Sequence, residues 1–303
     1  MKATQTIFHK ARALRPGDSV AVIAPAGPFD RESFEAGLAI LAERYRVQYD
    51  PGIFQRHRYL AGDDARRLAE LNSALGDASI KAIFCARGGY GTMRLLPDLS
   101  AAPNKPLVGF SDITALHQWR QSHGLVSIHG PVLTQLGRLG RATSERLFAL
   151  LESGAPAATL HGTTSFVEGI TEGPLLGGNL SVFTRLLGTR YMPNLEGAIL
   201  LLEDVGERPY RLDRLWTHME LAGVFTKVKG IVLGSFTHCE ERDASYSSVD
   251  VLRELAVATG LPCAAGFPIG HGDVNEPVPL GVRVRLNATT AQLTFLEAAV
   301  SEQ

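Results

Sequence analysis

Four short stretches of this chain carry residue types that could do chemistry. The first is Leu107-Val-Gly-Phe-Ser-Asp-Ile-Thr-Ala-Leu-His117. Pro106 to Gly109 is apolar enough to end a buried strand, and Ile113, Leu116 and Trp119 then recur at helical spacing. Ser111 falls at the join. A serine at a sharp strand-to-helix turn projects its hydroxyl clear of the sheet, beside the N–H groups of the first helical turn. That suits a nucleophile whose target carbonyl becomes an oxyanion held by backbone donors. The pattern is partial, since a nucleophile elbow would carry glycine at Ile113, and Ser111 followed by Asp112 also reads as a helix N-cap.

The second stretch, Arg87-Gly-Gly-Tyr-Gly91, follows the strand-like Lys81–Ala86. Its glycines allow close backbone approach to a ligand, but it has neither phosphate-loop nor dinucleotide-turn spacing. The third, Leu202-Glu-Asp-Val-Gly-Glu-Arg-Pro-Tyr-Arg-Leu-Asp-Arg214, opens where an apolar strand ends. Glu203 there can orient a histidine, bind a cation, or pair with Arg208, Arg211 or Arg214. The fourth is Gly266-Phe-Pro-Ile-Gly-His-Gly272. His271, between glycines in a loop, is poorly placed for a core histidine; His129 is the other histidine expected at a strand-end loop. Neither paired cysteines nor an H-E-x-x-H pattern is present, so no metal site is expected.

Around these residues, strand-like segments (18–24, 46–49, 81–86, 106–110, 126–129) alternate with helix-like ones (31–44, 63–75, 112 onward). Such alternation predicts α/β architecture with a doubly wound, mainly parallel N-terminal sheet, whose function gathers at the carboxyl ends of the strands. The stretch 154–172 dissolves into Gly, Ala, Pro, Thr and Ser and reads as a linker or domain crossing. Beyond it, strands at 198–203 and 230–234, helices at 179–187, 212–221 and 249–258, and half-exposed strands over 282–295 predict a mixed α/β C-terminal domain. The boundaries are 1–160 and 161–303.

Thirty basic residues against 31 acidic give a formal net charge of −1, which argues against a nucleic-acid partner. Cys85, Cys239 and Cys263 are scattered and odd in number, as small core residues of a reducing compartment would be. The N-terminal residues lack a signal-peptide core, and no apolar run reaches membrane-spanning length. The expectation is a soluble, cytoplasmic protein without a membrane partner.

Taken together, Ala24-Pro-Ala-Gly27, Arg87-Gly-Gly-Tyr-Gly91, Gly109-Phe-Ser-Asp-Ile-Thr114, Gly177-Gly-Asn179, Leu202-Glu-Asp-Val-Gly-Glu207 with Tyr210 and Asp213-Arg214, and Gly270-His271 resemble one family. It is the LD-carboxypeptidases, or murein tetrapeptide carboxypeptidases, serine peptidases of cell-wall recycling. The resemblance runs in order along nearly the whole chain. It implies a Ser-His-Glu triad split between domains, with Ser111 as nucleophile on the first and Glu203 and His271 on the second. It implies an oxyanion hole from backbone N–H groups of Asp112 and the Gly88-Gly89 turn, which requires the Asp112 carboxylate to point away. It further implies a murein tetrapeptide substrate losing its terminal D-alanine, no cofactor, and a homodimer. Arg87, whose guanidinium can fork a carboxylate, and Asn179 are candidate substrate-binding residues. A structural arginine and a helix cap are the competing readings. The rival functions are a microcin C immunity-type peptidase cleaving aminoacyl-sulfamoyl adenylate conjugates, a non-catalytic peptide-binding module, and a nucleotide-linked α/β enzyme. The second is opposed by the joint presence of the three triad residues, the third by the absence of a phosphate loop.

Overall fold

The computed structural model describes residues 6–100, 102–242 and 245–302. The strands in chain order are β1 (Ala11–Arg12), β2 (Ser19–Ile23), β3 (Arg46–Gln48), β4 (Ala82–Cys85), β5 (Leu107–Gly109), β6 (Ser127–His129), β7 (Leu160–His161), β8 (Thr164–Val167), β9 (Ile170–Asn179), β10 (Ile199–Val205), β11 (Gly230–Thr237), β12 (Cys263–Ala265), β13 (Val278–Leu280), β14 (Arg283–Asn287), β15 (Gln292–Phe295) and β16 (Val300–Ser301). The helices are α1 (Arg31–Ala42), α2 (Asp64–Gly76), α3 (Thr114–Ser122), α4 (Leu133–Leu139), α5 (Arg141–Glu152), α6 (Leu180–Arg185), α7 (Pro209–Leu221) and α8 (Ser248–Thr259).

One sheet has the order β13-β6-β5-β4-β2-β3, parallel except for β13. Its central strands are covered on both faces, which explains why β2 and β4 read as unbroken apolar runs. The chain leaves β2 for β3 on one side and returns through α2 to β4 on the other. The crevice outside the carboxyl ends of β2 and β4 is therefore a topological switch point. Asp30 and Asp63 accept the N–H groups of Ser33 and Arg66 and start α1 and α2, caps worth about 1 kcal/mol each.

The second sheet, β7-β15-β14-β9-β10-β11-β12-β8, is mixed: β9 to β12 run parallel, and antiparallel strands flank them on both sides. The alternating 282–295 segment is the β14–β15 hairpin. The stretch read as a linker contains β7, β8 and the start of β9 instead. β8, Thr-Ser-Phe-Val, is a half-buried edge strand that pairs with β12, and four residues whose two polar and two apolar members are not interleaved show no alternation. The two sheets are not laid out in strict succession, because β13 comes from the second half of the chain and completes the first sheet beside β6. β16 also returns, to pair with β1. Among the described residues, no helix is long and apolar enough to cross a membrane.

Candidate active site

Ser111 emerges immediately after β5, as the first residue of a 3-10 turn (Ser111–Ile113) that leads into α3. Its φ of +64° lies in the left-handed region, a conformation costing about 1–3 kcal/mol for a residue with a side chain. The capping position of this turn is occupied by Phe110, and no side chain caps it. Ser111 is therefore not the cap its sequence context also allowed. Gly88 explains the tightness of the turn from the other side. A Cβ at residue 88 would stand 2.7 Å from Ser111 Cβ and 2.9 Å from its Oγ, so only glycine lets this backbone approach the hydroxyl. The Asp112 side chain is turned away and buried, its Oδ2 accepting the Thr92 N–H at 2.8 Å. Burial pushes the Asp112 carboxyl above the usual range.

Glu203 lies on β10, fully buried, opposite an irregularity in the β10–β11 register between Leu202 and Asp204. Bulges of this kind re-aim side chains at the ends of strands. The arginines that could have neutralised Glu203 are engaged elsewhere: Arg208 with Glu241, Arg211 with Glu207, and Arg214 over the Tyr210 ring. Its partner is His271, whose Nδ1 donates to Glu203 Oε2 at 2.6 Å. Gly270, at φ +109°, lies directly on Glu203. A Cβ there would stand 2.8 Å from Glu203 Cγ and 2.9 Å from its Cβ, so the residue before His271 has to be glycine. The loop is pinned around it, with Gly270 N–H donating to Asn275 Oδ1 (2.9 Å) and Gly272 N–H to Ser235 Oγ (3.0 Å). The His271 ring packs on Phe110, with centroids 4.6 Å apart, which brings the imidazole beside the residue preceding Ser111.

With Nδ1–H committed to Glu203, Nε2 of a neutral His271 is an acceptor. Burial disfavours the imidazolium, but the hydrogen-bonded Glu203 carboxylate, with Asp204 behind it, outweighs this and raises His271 above the ordinary histidine value. A base must be neutral to take a proton, so kcat/KM is expected to fall toward acid through an ionisation above about 6.5. A pH–rate profile checks this, and an acid limb at or below the ordinary value overturns the assignment.

The other residues singled out in the sequence fall differently. His129 closes β6 and is fully buried, not in a loop, and burial holds it well below the ordinary histidine value. His117 is also buried, bonded to Gly109 O (2.8 Å) and Ser127 Oγ (3.0 Å), and lowered to about 4 by burial. Arg87 is exposed; its Nη1 donates to the Pro28 carbonyl, and its charge reaches Asp30. Asn179 caps α6 by accepting the Val182 N–H (3.1 Å), and its Nδ2 donates to buried Asp204 (3.0 Å).

Hydrogen bonds that no residue spacing announces hold the halves together. Asn179 N–H donates to Thr114 Oγ1 (3.0 Å) and Gln118 Nε2 to Gly177 O (2.9 Å), while Asn179 pairs with Glu203 in the β9–β10 ladder. The segment after Ser111 is thereby linked to the strand bearing Glu203. On the other flank, Arg146 of α5 forks Glu276, five residues past His271. Exposed Tyr59 and Tyr90 stack edge-to-face beside the glycine turn, centroids 5.7 Å apart. Among the described residues, no group of three His, Cys, Asp or Glu could hold a metal ion.

The doubly wound sheet thus carries a serine at positive φ, and the Glu203–His271 pair, from a strand of the second sheet and the loop after β12, lies against the residue that precedes it. Two family models match: the LD-carboxypeptidase N-terminal domain over residues 20–130 and the LD-carboxypeptidase C-terminal domain over residues 172–286. The chain belongs to the LD-carboxypeptidase family and is a serine-type carboxypeptidase. A relative from Bacillus subtilis (strain 168), described as a probable murein peptide carboxypeptidase, is 37% identical, covering 100% of this chain and 98% of its own. The crystal structure of muramoyltetrapeptide carboxypeptidase from Oxalobacter formigenes superposes with a TM-score of 0.83 at 28% identity, covering 94% of this chain and 100% of that one. Microcin C7 self-immunity protein MccF, in complex with aspartyl sulfamoyl adenosine, superposes with a TM-score of 0.88 at 23% identity (97% and 100% covered), a likeness of fold.

Proposed function

We infer that the protein releases the terminal D-alanine from murein tetrapeptide stems by cutting the bond from an L-centre to D-alanine, using Ser111, His271 and Glu203. The observation that carries this reading is the Glu203–His271 bond behind a serine held at positive φ, in a chain of this family. Ser111 Oγ attacks the scissile carbonyl as its proton passes to His271 Nε2, and Glu203 stabilises the resulting imidazolium. The oxyanion is held by N–H groups of Asp112 and the Gly88-Gly89 turn, supported by the Asp112 carboxylate being bonded away at Thr92. As the tetrahedral adduct collapses, the C–N bond breaks and His271 returns its proton to the departing amine of D-alanine. Water, deprotonated by His271, then attacks the acyl-Ser111 ester and regenerates the hydroxyl.

In this reading an N-terminal unit over 1–160 supplies the nucleophile and a C-terminal unit over 161–303 supplies the other two groups. Arg87 at the exposed rim receives the substrate carboxylate, and Asn179 acts by holding Asp204 and α6. The enzyme works in the cytoplasm, in keeping with three buried, unpaired cysteines, and as a homodimer, as the family resemblance implies. A molar mass equal to one chain in light scattering overturns the dimer. Both tryptophans are buried, which disfavours a microcin-immunity role that stacks a nucleobase on them.

Three synthetic peptides test the assignment: the L-centre–D-Ala stem, the same stem ending in L-Ala, and the pentapeptide ending in D-Ala-D-Ala. Inverting the terminal centre exchanges methyl and carboxylate, leaving a charged hydrogen bond unmade. Discrimination of about a hundredfold or more is therefore expected. Efficient cleavage of the D-Ala-D-Ala bond would refute the substrate class. Cleavage of an aminoacyl-sulfamoyl adenosine and none of the peptides would establish the immunity-type activity instead.

A further inference from the structure

Three loops lie on or near Ser111, and one buried side chain from α2 touches two of them and is one hydrogen bond removed from the third. Arg67 is fully buried. Its Nη1 donates to the carbonyl of Pro25, in the loop that follows β2. Its Nη2 donates to the carboxylate of Asp64, which also accepts Arg94 Nε at 2.8 Å. The glycine turn after β4 lies on the same guanidinium. A Cβ at Gly91 (φ +127°) would stand 2.6 Å from Arg67 Nη1 and 3.1 Å from its Cζ. Thr92, next in the chain, gives its N–H to the Asp112 carboxylate, so the Asp112 turn is tied to the glycine turn that rests on Arg67. The Pro25 loop in turn holds the glycine turn directly, with Gly27 N–H donating to Gly88 O at 2.9 Å. Neighbours on α2 brace it: Glu70 Oε2 accepts Ala24 N–H at 2.7 Å, and Arg66 Nη1 donates to Ala61 O at 2.8 Å.

We propose that Arg67 is a positioning residue for the reaction, fixing the Pro25 loop, the Gly88–Gly91 turn and the Asp112 turn so that the backbone donors converge on the oxyanion formed at Ser111. The work suits a guanidinium. Its planar fork meets a carbonyl with one nitrogen and a carboxylate with another while the glycine turn packs against it, whereas an ammonium is a point charge with no such fork. Arg67 touches no reacting atom. Its effect falls on the transition state, where the oxyanion exists, and not on ground-state binding of the peptide.

The inference rests on the proposed function, so the wild-type enzyme is tested first for D-alanine release and for labelling of Ser111 by a fluorophosphonate. If it does neither, that reading fails. The variant Arg67→Lys, checked by thermal melting, is expected to lose about 100-fold in kcat, the scale of a misplaced donor. Its KM stays within about threefold of wild type and its acid limb is unmoved. Should Arg67→Lys not fold, Asp64→Asn is read in its place. It weakens the partly exposed carboxylate that anchors both Arg67 and the exposed Arg94, and is expected to cost about tenfold in kcat at unchanged KM, with Arg94→Ala, which leaves the Arg67 anchor in place, expected to keep wild-type kcat. A folded variant with wild-type kcat, or one whose loss is carried by KM, overturns the role of Arg67 while leaving Ser111 as nucleophile.

Discussion

Ser111→Ala is expected to lower kcat by about 10⁴ or more while barely moving the melting temperature. The contrast follows from what the side chain does and does not do. Its hydroxyl caps no turn, so no structural hydrogen bond of that kind is lost with it. Alanine at φ +64° also bears the same backbone cost as serine, since both carry a Cβ, and the strain is unchanged. In the proposed mechanism the substitution removes the atom that forms the acyl-enzyme, and the residual rate is that of a bound peptide facing water beside an oxyanion hole. The measurement is D-alanine release alongside a thermal melt. A variant that keeps most of its activity and loses stability would make Ser111 a structural residue.

Glu203→Gln is expected to cost about 10⁴ in kcat, through the tautomer of His271. Glu203 Oε2 accepts the Nδ1 proton, and a glutamine of the same shape can turn its amide N–H toward Nδ1 instead. The imidazole proton then resides on Nε2, the atom that receives the serine proton in the proposed mechanism. Glu203 Oε1 has no protein partner among the described residues and is fully buried, so nothing there forces the amide oxygen toward His271. A second signature accompanies the loss. The carboxylate is what lifts His271 against burial, so its removal should move the acid limb of the residual activity to lower pH. An unmoved limb with near wild-type kcat would mean that Glu203 neither orients nor stabilises His271.

Much of the nucleophile half was legible in the sequence because its signals are local. The apolar runs of β2, β4 and β5 are the mark of strands buried on both faces, and the helix-like segments 31–44 and 63–75 show apolar residues at helical spacing. Ser111 stood out since strand, serine and helix lie within a few residues of one another. His271 stood out because a histidine between two glycines has no covering side chains of its own. The edge strands within 154–172 were hidden for the opposite reason. A half-covered four-residue strand such as Thr-Ser-Phe-Val has no alternation to read until its neighbour is known, and β8 owes its existence to β12, which lies almost a hundred residues later.

By itself, then, the sequence determined the residue types of the site, their order and the α/β layers that carry them, for each depends on neighbours within a turn or a strand. Tertiary structure alone decided which of these residues meet. The competition for Glu203 between three nearby arginines and a distant histidine is decided by the orientation of β10 and the register irregularity beside it, not by distance along the chain. His129 and His271 both looked like loop histidines, and only the arrival of β13 on β6 buries the first, while the loop before β13 sets the second over Phe110. Arg67, Gln118 and Arg146 gave no signal at all, and Thr114, though inside the Gly109–Thr114 motif, gave none for its partner. Each acts by spanning a gap between segments far apart in sequence, and a hydrogen bond across such a gap has no counterpart in residue spacing.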